Sequence, residues 1–209
     1  MRVPAGVIVV KLGGSLAFSP HLRPWLDVLA SRAGTVVLVA GGGPFAEVIR
    51  DAQKKMGFAD DAAHHMALTA MEQFGRALAS MQPALLPAAT SVEIVRALKQ
   101  KRVPVWSPAR LVLAAKDIPA SWDATSDSLA AWLAGHLGAQ RVLLVKHGAF
   151  PTDPVRVDDL VARGIVDPLF PKFLAASRAM VSVVGAADHA FAATAMPRGL
   201  LPGAPIDLP

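Results

Sequence analysis

The chain has 209 residues, no cysteine, and a net charge of +5 from 21 basic and 16 acidic side chains. Without cysteine there is neither a disulfide nor a thiolate metal centre, and no uninterrupted apolar run of about 18 residues marks a membrane span. The basic residues are scattered in short pairs such as Lys54-Lys55 and Lys101-Arg102, with no tyrosine to interleave with them, so a nucleic-acid surface is not expected.

This length suits one domain, residues 1–209. Val7 to Val10 is a β-branched run too short for a buried helix, and it reads as a buried parallel strand. Lys11 and a glycine pair follow, so the apolar start is a strand and not a signal peptide. Pro20 to Arg32 has apolar residues near helical spacing. Thr35 to Ala40 is a second buried strand that runs into Gly41-Gly42-Gly43-Pro44, with a helix expected from Phe45 to Lys55. A long helix is expected over His64 to Met81, a short one over Val92 to Lys99 and a strand over Val103 to Trp106. Ser126 to Leu137 reads as a helix, Arg141 to Val145 as a strand, Leu169 to Ala176 as a helix, and Met180 to Val184 as the last clear strand. The Pro-rich tail, Pro197 to Pro209, is expected to be partly disordered. Alternating strands and helices predict a three-layer αβα sandwich around a mainly parallel sheet. Ligands then belong at the carboxyl ends of the strands, where Lys11 and the Gly41 to Gly43 turn lie.

The stretch Lys11-Leu12-Gly13-Gly14-Ser15 has the parts of a phosphate cradle. The glycines let the backbone turn tightly and approach a ligand. Their N–H groups, the Ser15 hydroxyl and the Lys11 ammonium then face one anion. It is not a Walker A loop, because GxxxxGK[ST] is absent. His64 and His65 open the long helix about 100° apart around its axis, so only one of them can face a pocket. Both could equally be surface histidines. Asp127 reads from its position as a helix N-terminal acid beside the capping residues Thr125 and Ser126. No HExxH pattern is present, and no metal-ligating set is expected.

The two glycine turns, followed by Trp122-Asp123-Ala124-Thr125-Ser126-Asp127-Ser128 opening a helix and by Gly203-Ala204-Pro205-Ile206 near the end, resemble the amino acid kinase superfamily nearly end to end. That superfamily includes acetylglutamate, uridylate and isopentenyl phosphate kinases. Within it, HHMALTAMEQFG, SWDATSDSLAAWLA and VDPLFP are most similar to the small kinases of methanofuran biosynthesis, which use ATP to phosphorylate (5-(aminomethyl)furan-3-yl)methyl phosphate. The resemblance implies a cytoplasmic homo-oligomer using ATP and Mg²⁺ on a small phosphorylated substrate. It implies that Lys11 and Asp127 are catalytic, Asp127 orienting the lysine and approaching Mg²⁺. Gly13, Gly14, Ser15, Lys146 and Lys172 are assigned to nucleotide and phosphate. Gly41, Gly42, Gly43, His64, His65, Thr125 and Ser126 are assigned to the acceptor.

One departure stands out. Many relatives carry an Asp-Val-Asp-Gly turn where this chain has Lys146-His147-Gly148-Ala149. It leaves open a nucleotide-binding storage or regulatory protein that no longer transfers phosphate. A kinase acting on a nucleoside monophosphate, isopentenyl phosphate or an amino acid would also fit the superfamily pattern.

Overall fold

The computed structural model describes residues 2–208. Its centre is strand β1 (Ile8–Leu12), flanked by β2 (Val36–Ala40) and β5 (Arg141–Lys146), both parallel to it. Outward from β2 come β4 (Val103–Trp106) and β3 (Leu85–Ala88). Outward from β5 come β7 (Met180–Gly185), β8 (Ala204–Asp207) and β6 (Val155–Arg156). The sheet of eight strands is parallel except where β8 runs antiparallel to β7.

The alternation of side chains along β1 divides the core. Ile8, Val10 and Leu12 face one layer, where Trp25, Leu26 and Leu29 of α1 (Leu22–Ser31) pack with Ala192 of α9 (His189–Ala195). Val7 and Val9 face the other. There they meet Ile94 of α4 (Ser91–Lys99), Leu129 and Leu133 of α6 (Ser126–Leu137), and Phe173 of α8 (Phe170–Ser177). Lys11 shares the register of Val7 and Val9, so its stem is directed toward the α6 layer. Helices α2 (Gly43–Met56) and α3 (Asp60–Met81) pack on each other beside β2 and β4. The expected three-layer sandwich is thus present.

Three strands go beyond the sequence pattern. β3 contains Pro87, which ordinarily argues against a strand, but β3 is the edge and Pro87 needs no partner on its open side. β6 is only two residues long. β8 lies inside the tail expected to be partly disordered; that expectation is corrected over Ala204–Asp207, and Pro209 lies outside the described residues. Gly203 makes the last strand possible. It has φ +87, and a Cβ there would stand 2.1 Å from the Val183 carbonyl oxygen, so the chain can reach β7 only with no side chain at this point.

Candidate active site

The register of the central strands brings three loop starts together. Leu12 pairs with Ala40 on one side and Val145 on the other. The Gly13 N–H donates to the Val145 carbonyl at 3.0 Å, and the Gly41 N–H donates to that of Leu12 at 2.9 Å. The connection after β1 runs toward β2 and the one after β5 runs toward the opposite side of the sheet, and parallel sheets open a crevice where connections diverge in this way. The two glycine turns touch. A Cβ on Gly14 would lie 2.6 Å from the Gly43 nitrogen, and one on Gly41 would lie 2.6 Å from the Gly14 nitrogen. Gly14→Ala is therefore expected to destabilise the protein by about 1–3 kcal/mol, the cost of overpacking, read as a lower urea midpoint. An unchanged midpoint would mean that the turns stand farther apart.

The second turn feeds directly into α2, which begins at Gly43 and not at Phe45. The first turn enters a short 3₁₀ turn, Gly14–Leu16, and α1 follows only at Leu22. The first cradle therefore has less helix behind it than the sequence pattern suggested.

On the α6 side of the sheet, the first turn of α6 places Asp127 against two lysines. Lys11 Nζ lies 2.9 Å from Asp127 Oδ1 and Lys146 Nζ lies 2.6 Å from Oδ2. The Lys146 contact is a directed hydrogen bond, whereas Oδ1 meets Lys11 as a charge contact without hydrogen-bond alignment. Lys11 and Asp127 are withdrawn from water at 4% exposed each, and Lys146 is partly buried. Burial alone would raise the Asp127 pKa, but the Lys11 and Lys146 ammonium groups outweigh it and hold the carboxyl below its ordinary value. Lys146 is pushed down to about 8, first by burial and next by repulsion from Lys11. The cluster carries two positive charges and one negative, leaving one unit of positive charge next to the glycine cradle.

A cavity of about 220 Å³ opens beside this cluster. Gly14, Gly41–Gly43, Leu68, Met71, Leu129, Thr125 and Ser126 line it, with the exposed Ser15 at its edge. His64 lines it as well. This ring is only 9% exposed and makes no hydrogen bond among the described residues. Burial, and next the charge of neighbouring His65, lower its pKa below the ordinary 6.5. The rim carries Glu47, Arg50, Asp60 and Trp122. The Arg50 guanidinium sits 4.5 Å from the Trp122 ring centroid. The Trp122 indole N–H donates to Gln53 Oε1 at 2.6 Å, and the Gln53 amide donates to Asp60 at 2.8 Å. The glycine turns thus bring backbone N–H donors to the cavity wall, the Lys11–Asp127–Lys146 cluster lies outside that wall behind Ser126, and the rim holds two carboxylates and one guanidinium.

Of the residues singled out from the sequence, Lys11, Asp127 and Lys146 form the buried cluster. Gly14, Ser15, Gly41, Gly42, Gly43, His64, Thr125 and Ser126 line the cavity, and Gly13 is tied to β5 behind it. Two are not brought there. His65 is exposed and absent from the cavity wall, as the 100° between adjacent helix positions requires. Lys172 lines a separate groove with Asp117, Trp132 and His136. Arg50 was not singled out from the sequence, although Gly43, Glu47 and Arg50 share one helical face. Nor was Asp167, a buried acid in VDPLFP that binds the turn carrying Asp127.

The residues present do not fit a protein-held magnesium ion. Both Asp127 oxygens already face ammonium groups, and no group of three or more His, Asp or Glu converges among the described residues.

A parallel sheet with facing glycine turns, a buried two-lysine cluster and an adjoining cavity defines an α/β phosphotransferase. The model of the amino acid kinase family matches residues 6–149, and the chain belongs to that family. It is 24% identical to the [5-(aminomethyl)furan-3-yl]methyl phosphate kinase of Methanocaldococcus jannaschii over 177 residues, covering 79% of this chain and 82% of that protein. Its fold is similar to that of uridylate kinase from Archaeoglobus fulgidus, with a TM-score of 0.72, 21% identity, and coverage of 96% of this chain and 100% of the other. It is also similar to isopentenyl phosphate kinase, with a TM-score of 0.61, 15% identity, and coverage of 96% and 100%. The protein is a kinase.

Proposed function

We propose that this kinase transfers the γ-phosphate of ATP to a small phosphate monoester, with (5-(aminomethyl)furan-3-yl)methyl phosphate as the acceptor, within one domain spanning 1–209. The observation that carries this reading is the unpartnered, buried His64 in the same cavity as the glycine turns. A neutral imidazole there donates one N–H to a phosphate oxygen, and the free N–H groups that open α2 supply others. A phosphate oxygen of the acceptor attacks the γ-phosphorus, the bond from that phosphorus to the bridging oxygen of ADP breaks, and a new P–O–P linkage forms. Lys11 and Lys146 offset the charge on the oxygens of the transferring group, and Asp127 holds both ammonium groups in place. At the rim, Glu47 and Asp60 suit the primary amine of this acceptor, and Trp122 suits its furan ring.

The test compares ADP release with this acceptor, its dephosphorylated alcohol, uridine monophosphate, isopentenyl phosphate and glutamate. Turnover of the alcohol or of glutamate as fast as the phosphate would overturn the phosphate-acceptor reading. Turnover of uridine monophosphate or isopentenyl phosphate alone would keep the chemistry and replace the substrate. His64→Ala is expected to raise the acceptor KM about tenfold, the worth of one hydrogen bond to a charged group, with the ATP KM unchanged. Because the His64 pKa lies below 6.5, the imidazole gains its proton only in mild acid, so acceptor affinity in the parent should strengthen as pH falls past that point. An acceptor KM in His64→Ala equal to that of the parent would remove His64 from the phosphate site.

A second reading, a nucleotide-binding protein without transfer, is favoured by the missing acidic turn at Lys146–Ala149. It leaves the buried lysine cluster unexplained. ATP binding without ADP release on any acceptor would establish it.

A further inference from the structure

We propose that Asp167 is a positioning residue of the phosphotransfer site, closing from outside helix α6 the turn that carries Asp127 and so setting where the two lysine ammonium groups stand. The proposal rests on the kinase reading above and adds to it a residue that touches neither substrate.

The first turn of any helix leaves N–H groups without partners, and a side chain just before the helix usually accepts from them. Thr125 occupies that place in α6 but makes no such bond to its own helix. Its hydroxyl instead donates to Asp167 Oδ2 at 2.7 Å. The same oxygen accepts the Thr125 N–H at 2.9 Å and the Ser128 N–H at 3.1 Å. The Ser128 hydroxyl donates to the other oxygen, Oδ1. One carboxylate therefore gathers four donors from residues on both sides of Asp127, across 39 to 42 positions of sequence. Asp167 is 7% exposed and Ser128 is fully buried. An ionised carboxylate suits this place because it only accepts; an amide would turn an NH₂ toward some of these donors.

The segment around Asp167 reaches the rest of the cluster too. The Ile165 carbonyl accepts from the Lys146 ammonium, and the Leu169 N–H donates to the Asp123 carbonyl at 3.0 Å. Residues 165–169 thus fix one lysine directly and Asp127 through its turn. A helix cap placed only for stability would need none of these contacts with the charged cluster. Burial, and next the charge of Asp127, raise the Asp167 pKa, while the bonds from Ser128 and Thr125 favour its charged form.

The experiment uses the full chain with Asp167→Ala, Asp167→Asn and Ser128→Ala. Asp167→Ala is expected to lower kcat by about 10- to 100-fold, the scale of misplacing a reacting group by an ångström, with both KM values within about threefold. Asp167→Asn keeps most of the acceptor set and should recover much of the loss. An independent readout is the acylation rate of Lys146 at pH 7.5, followed by mass spectrometry. Asp127 raises the Lys146 pKa, so a displaced Asp127 leaves more neutral amine, and labelling should speed up in Asp167→Ala. A purely structural cap would lower the melting temperature yet leave kcat and Lys146 labelling unchanged well below it; that result overturns the proposal. If Asp167→Ala does not fold, Ser128→Ala decides by the same two measurements, with a smaller expected loss. An inactive parent would sink the kinase reading, and the labelling contrast would still decide the role of Asp167.

Discussion

Replacing Lys11 by Met is expected to lower kcat by about 10²–10³-fold, the loss associated with one preorganised donor at developing charge, while the protein stays folded. The side chain is buried in the central strand, 4% exposed, and its ammonium lies 2.9 Å from Asp127. Burying an ion pair seldom adds net stability, and removing one partner costs about 3–5 kcal/mol when the other is left alone. Here Asp127 is not left alone, because Lys146 stays hydrogen-bonded to its second oxygen. Met keeps most of the apolar stem volume, so the packing against β2 and β5 survives. The substitution removes the one unit of positive charge the cluster holds in excess, which is the charge left to meet an incoming phosphate. Circular dichroism and the urea midpoint report the fold, and initial rates report transfer. A kcat within a few-fold of the parent would take Lys11 out of the chemistry.

What the sequence disclosed and what it hid follow from the range of the interactions involved. Val7 to Val10 declared a buried strand because the signal is four consecutive β-branched side chains. The glycine turns were readable because the demand for no Cβ is local, and the contact between Gly14 and Gly43 shows why the demand is strict. The pairing of Lys146 with Asp127 was not readable. It depends on β5 ending level with β1 while α6 crosses above them, a matter of sheet register. Asp167 was hidden for the same reason, its four donors lying some 40 positions away with no spacing to betray them. Lys172 stands apart from these residues. Its segment resembled one whose lysine meets phosphate, but α8 packs along α6 and leaves Lys172 on the outer groove near Trp132. The tail misled because proline and glycine signal disorder in general, whereas Gly203 and Pro205 serve an antiparallel strand.

The departure at Lys146 leads to the second large effect. Where relatives carry acids, this chain ends β5 in a lysine whose ammonium turns inward to Asp127, with its pKa pushed down to about 8 by burial and by Lys11. Lys146→Met should lower kcat/KM for ATP by about 10²-fold or more, again the worth of a preorganised cation. Lys146 also predicts a pH signature. The charged form serves the reaction, and it is lost as pH rises through about 8, so kcat/KM for ATP should fall along an alkaline limb near that value. The limb belongs in kcat/KM because the low pKa is that of the free protein; bound polyphosphate would raise it and move the limb in kcat upward. Stability runs the other way. A lysine with a pKa of about 8 when folded and 10.5 when unfolded leaves the unfolded chain binding more protons between those values. Its contribution to folding free energy is therefore least favourable below pH 8 and improves from pH 8 toward 10.5. Lys146→Arg keeps its charge throughout this range, so its rate profile should lose the alkaline limb even if its plateau is lower. An alkaline limb near pH 8 that persists unchanged in both Lys146→Met and Lys146→Arg would assign the titration to another group.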